Sequence, residues 1–97
     1  MMRSPKDIEL YKRIDEVVHY IWDPVGIADI PSARDEYYDY LPGIFQVVKE
    51  AETIETIKVY LSKLEAIQFG EEPHDDICTE IAKILFSWKA CIMGSTA

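Results

Sequence analysis

Apolar side chains recur at three- and four-residue spacing along most of this chain, with polar ones filling the gaps. Tyr11, Ile14, Val18, Ile21 and Trp22 trace one helical face, and Lys12, Asp15, Glu16 and His19 take the other. Ser4 before Pro5 reads as an N-cap with proline at the first helical position, and Asp7 sits in the first turn. Pro24 disfavours helical backbone at Asp23, and Gly26 permits a turn, so the first helix is expected over about 5–22.

The next join is punctuated by Pro24, Gly26 and Pro31. Ser32 then offers a cap, with Asp35 at capping-box spacing. Beyond it Tyr37, Tyr40, Leu41, Ile44, Phe45 and Val48 share one side, and Asp35, Glu36, Asp39, Pro42, Gln46 and Glu50 the other. The phase passes through Pro42 unbroken, which predicts one helix over about 33–50, kinked at Pro42. Two helices breaking at Leu41 is the alternative.

Thr53 caps a third helix, about 54–69, carrying Ile57, Tyr60, Leu61, Leu64 and Ile67 and stopped by Gly70. Pro73 opens a fourth over 73–93, with Asp75 and Asp76 near the positive end of its dipole. Its main stripe is Ile77, Ile81, Ile84, Leu85, Trp88 and Ile92. Ala82, Phe86, Ala90 and Met93 lie on the opposite face, so the helix is apolar nearly all round. Such a helix is either central or covered by a second subunit, and those four residues are the candidate homodimer face. No stretch alternates as a strand would. The expectation is a small all-α, four-helix bundle whose short joins favour antiparallel neighbours, with a frayed GSTA tail.

Composition narrows the picture. Ninety-seven residues, 48% of them hydrophobic, make one domain with one core. No apolar run approaches the roughly 20 residues a membrane span needs, and the first residues lack a secretory-signal pattern, so the expected compartment is the cytoplasm. Cys78 and Cys91 would lie roughly 20 Å apart on one helix, too far for a disulfide, and are expected to be reduced, buried thiols. The net charge of −8 disfavours direct nucleic-acid binding and favours a basic partner, or serves solubility alone.

The residues offer little catalytic chemistry. Glu71, Glu72, His74, Asp75 and Asp76 cluster in sequence without a known metal-ligand spacing, and acids at a helix N-terminus already have a structural reason to be there. Cys78 on an apolar stripe lacks the positive, exposed setting of an activated thiolate. Asp35 and Asp39 read as a solvated face before they read as a catalytic pair. No catalytic, cofactor-binding or metal-binding residue is therefore assigned, and the chain is not expected to be an enzyme.

Trp22, Asp23, Pro24 and Gly26 read as a structural corner, with Trp22 as a core plug; contact with a ligand is the alternative. Together with Val25 they form W-D-P-V-G, succeeded by Asp35, Glu36, Tyr37 and Tyr40. In these two motifs the chain resembles a group of small bacterial all-helical proteins of unknown function with a W-D-P-[IV]-G corner and a D-E-Y segment. The resemblance spans most of the chain and implies an all-α fold, a cytoplasmic setting and a toxin-immunity-like role. It supplies no catalytic residues. Tyr38 lies at the edge of the polar face between Asp35 and Asp39, where it either covers the bundle or anchors a partner. The nuclease-colicin immunity proteins, also small, acidic and helical, present tyrosines beside acids in a similar way, which is an analogy of composition. The candidate partner face is thus Asp29, Asp35, Glu36, Tyr38 and Asp39, suited to a basic protein such as a toxin nuclease. Glu71, Glu72, Asp75, Asp76 and Glu80 are the second candidate.

Overall fold

The structure, a computed structural model, describes residues 4–23, 26, 29–30, 32, 36–70, 72 and 74–94. Pro24, Val25, Pro31, Asp35, Glu71, Pro73 and the end of the GSTA tail lie outside the described residues. Helix α1 runs Pro5–Glu16, opened as its sequence demands: the Asp7 backbone N–H donates to Ser4 Oγ at 3.1 Å, with proline in the first turn. It leads directly into a π-helical turn, Val17–Trp22. There the Asp23 N–H bonds the Val18 carbonyl at 2.9 Å, five residues back.

Each such wide bond takes in an extra residue and rotates the residues after it about the helix axis. That is why Ile21, expected on the core face, is 56% exposed while Trp22 is buried. His19, expected on the polar side, is buried against the Tyr20 and Tyr37 rings at 4.4 and 6.2 Å.

The single kinked helix expected over 33–50 is replaced, among the described residues, by a 3-10 turn at Tyr38–Tyr40 and an α-helix, α2, over Leu41–Glu50. Pro42 stands in the first turn of α2. Its missing N–H costs nothing there, so it starts the helix and does not bend it. Helix α3 spans Ile54–Lys63, capped by Thr53 Oγ1 accepting from the Thr56 N–H at 3.4 Å. It too ends in a π turn, Leu64–Gln68, closed by the Phe69 N–H on the Leu64 carbonyl at 3.1 Å. Gly70 comes next with φ +66°, the left-handed backbone that a helix stop requires. The second rephasing leaves Ile67 71% exposed, and Glu65, four residues after Leu61, is buried on the stripe.

Helix α4, Asp75–Met93, touches α1, α2, α3 and the first π turn and so is the central element. Cys78, Ile81, Ala82 and Leu85 are its buried residues, packed with Leu10, Ile14, Leu41, Ile44, Val48, Ile57 and Leu61. Ile77, expected on that stripe, is 47% exposed, because in the first turn of α4 it is Cys78 that points inward. Cys91, expected to be buried, is exposed; neither cysteine is paired. Lys89 reaches across to the Ala51 carbonyl at the end of α2, and Lys49 pairs with the buried Asp7 carboxylate at 3.1 Å, tying α2 to α1.

No strand occurs among the described residues. The radius of gyration, 12.9 Å, is that of a single compact domain of this length, for which about 13 Å is usual. No helix among the described residues is long and apolar enough to cross a membrane.

Candidate functional site

Two places hold the residues singled out by sequence: a buried corner and an exposed acidic turn beside it. The corner is built where the two π turns meet. Trp22, last residue of the first, points its indole N–H at Glu65 Oε2 of the second, 3.0 Å away. The other carboxylate oxygen, Oε1, accepts from the His74 backbone N–H at 2.9 Å and from the Cys78 thiol at 3.4 Å. The His74 ring, half-exposed, lies with Nδ1 3.6 Å from Oε2. Glu65 is only 2% exposed, so one carboxylate joins the end of α1, the second π turn and the start of α4. A buried carboxylate is costly to desolvate and persists only when its lone pairs are occupied; here three donors occupy them.

Burial pushes the Cys78 thiol up to about 11; the Ser62 hydroxyl opposes the shift, and the charge of Glu65 adds to it. At neutral pH it is a protonated donor, the opposite of the lowered thiolate that nucleophilic chemistry needs. No group of three or more His, Cys, Asp or Glu among the described residues is arranged to hold a metal ion.

Asp23 has φ +40°. A left-handed conformation is uncommon for a residue with a side chain, although aspartate tolerates it better than most. Its carboxylate accepts the Tyr37 hydroxyl at 2.8 Å, and its carbonyl accepts the Gly26 N–H at 3.1 Å. The W-D-P-V-G stretch and the D-E-Y stretch, distant in sequence, are therefore bonded to each other through Asp23 and Tyr37. The Phe69 ring packs edge-on against Trp22, Tyr37 and Tyr40 at 6.2, 5.8 and 4.9 Å, joining the second π turn to both stretches.

The acidic turn rests on this platform. Tyr37 is 2% exposed and Tyr40 is partly buried on the core, whereas Tyr38, between them, is 47% exposed. Glu36 and Asp39 flank Tyr38 on the surface, and Asp29 is exposed as well. Asp35, the fifth member of the candidate face, lies outside the described residues, as does Glu71 of the second cluster; Glu72, Asp75, Asp76 and Glu80 are exposed. Of the candidate dimer face, Ala82 is fully buried inside the monomer, and Phe86 and Met93 pack against the monomer's own core. Ala90, the fourth member of that face, is exposed.

Glu65 and Asp7 are the buried acids that sequence reasoning passed over. The signal was available. Glu65 stands eight residues after Ile57 and four after Leu61, and Asp7 at three and seven from Leu10 and Ile14, so each acid occupies a stripe position. An acid on an apolar stripe, in a chain whose tryptophan needs an acceptor, marks a buried hydrogen-bonded pair. Compared with known proteins, the chain matches no family model, no curated protein and no solved structure.

Proposed function

We propose that the protein is an acidic helical binding module that recognises and neutralises a basic macromolecule, as an immunity-type inhibitor of a toxin or of a nucleic-acid-handling protein does. The observation that supports this is the turn around Tyr38. Anchoring of Tyr37 through Asp23 and of Tyr40 on Phe69 fixes the backbone on both sides of an exposed ring bordered by Glu36 and Asp39. A pre-ordered aromatic ring loses little entropy on binding, and flanking acids steer a cationic surface towards it. The reading includes a cytoplasmic setting, kinship with the W-D-P-[IV]-G proteins, and neighbouring helices that run antiparallel. It assigns no catalytic residue, metal or cofactor. A structural or regulatory homodimer is the second reading, favoured by the apolar character of α4.

Pull-down from native lysate and mass spectrometry identify the partner, which is expected to be basic. Against that partner, Asp35→Lys with Asp39→Lys should slow association and flatten its salt dependence. Tyr38→Ala should speed dissociation at a cost of about 2 kcal/mol or more. Binding indifferent to all three substitutions moves the interface to the acidic cluster at the start of α4, and an acidic partner sinks the reading altogether.

A further inference from the structure

Helix α4 has a second partly open face besides the one its sequence singles out. Ile84, Ser87, Trp88 and Cys91 line a shallow groove at i, i+3, i+4 and i+7, the spacing of a helix-packing seam. Ser87 and Cys91 are exposed, and Ile84 and Trp88 are partly so. The groove on the other side, between Phe86, Lys89, Ala90 and Met93, differs in holding a charge: Phe86 and Met93 pack partly on the core, as Ile84 and Trp88 do, but Lys89 crosses it to bond Ala51.

We infer that the Ile84–Ser87–Trp88–Cys91 stripe is a self-association face, covered by the same stripe of a second copy running antiparallel. Charge favours this occupant. The chain carries −8 overall, so two copies repel wherever their acids meet; yet residues 81–97 contain no aspartate or glutamate, and Lys83 and Lys89 are their only charges. At the rim by Trp88 the Arg13 guanidinium lies 5.5 Å from the ring and pairs with Glu9 and Glu16, so a base stands between the two acids there.

Shape favours it as well. The stripe is symmetric about the point between Ser87 and Trp88. An antiparallel two-fold therefore sets small Ser87 against large Trp88 twice, and Ile84 against Cys91 twice. A small residue opposite a large one lets two helices approach to about 8–10 Å. In this arrangement the two Cys91 thiols sit roughly 10 Å apart along the helix axis, beyond disulfide reach.

The test is sedimentation of the intact chain at high micromolar concentration, where a dimer is expected. Ser87→Glu and Cys91→Glu should each raise the dimer dissociation constant about tenfold or more, with helicity and melting temperature unchanged because both positions are exposed. Ala90→Glu, on the neighbouring groove, should leave the dimer intact. Ser87→Cys in a Cys91→Ala background should give a disulfide-linked dimer under mild oxidation; buried Cys78 stays out of the reaction. A wild-type monomer overturns the proposal, as does a dimer that tolerates both glutamates or is broken by Ala90→Glu. Ready cross-linking through native Cys91 means parallel helices and overturns the antiparallel register.

Discussion

Glu65 and Asp39 carry the same functional group into opposite settings. Glu65 is sealed in the corner, its oxygens taken by Trp22, His74 and Cys78. Asp39 stands on the neighbouring turn in contact with solvent. The difference lies in the donors. In the corner an indole N–H, a backbone N–H and a thiol from three segments converge on one point, and a carboxylate there is structural. Where the backbone is anchored by aromatic rings on either side, a carboxylate is left without structural duty. Phe69 touches both regions, so the buried acid indirectly holds the platform on which the exposed acids stand.

Removing the buried acid is the severest challenge to this contrast. Glu65→Ala strands the buried Trp22 indole N–H, removes the acceptor of the part-buried His74 amide and leaves a cavity, at an expected cost of about 3–5 kcal/mol. Glu65→Gln keeps an acceptor and should cost well under half as much. Urea unfolding measures both. Coupling with Trp22→Phe in a double-mutant cycle should reach about 1 kcal/mol or more; full additivity would show that the indole–carboxylate bond contributes nothing.

The fold was legible in sequence wherever the helical period holds. Ser4 and Thr53 cap where the pattern places them, and Ile14, Val18, Ile44, Val48, Ile57 and Leu61 are buried as their spacing requires. Legibility fails at the two π turns, because a count at fixed angle cannot anticipate an inserted residue; Ile21 and Ile67 are misplaced for that one reason. Pro42 misleads differently. A proline in phase reads equally as a kink or as a first turn, and only the 3-10 geometry of Tyr38–Tyr40 decides between them. For the candidate site, the exposure of Tyr38 was readable from its edge position, but the Tyr37–Asp23 bond was not, since it joins segments 14 residues apart.

A smaller effect should appear at alkaline pH. The Cys78 thiol rises from an ordinary value of 9.0 to about 11 in the fold, chiefly through burial. The unfolded thiol therefore ionises first, so the stabilisation is complete below pH 9 and is lost as pH climbs from 9 to 11. Tyr11, also raised by burial, contributes in the same direction over a slightly higher range. Cys78→Ala should flatten the fall in stability between pH 9 and 10, measured by urea unfolding at fixed ionic strength. An unchanged slope would mean that the thiol does not contribute to the corner's alkaline sensitivity.

The smallest expected effect lies at the exposed acids and probes the contrast from its other end. Glu36→Lys with Asp39→Lys reverses two solvent-facing charges on the turn, so stability should change by no more than about 0.5 kcal/mol. The sign should favour the variant at low salt, because an excess of like charge strains the compact state and the exchange moves the net charge towards zero. That gain should shrink as salt is added, since exposed charges are screened over about 10 Å at 0.1 M. Thermal unfolding across a salt series reads both features. A loss above about 1 kcal/mol, or one that salt does not alter, would mean that these acids hold the turn in place. The distinction between a structural and an exposed carboxylate would then collapse, and with it the reason for placing a partner on that turn.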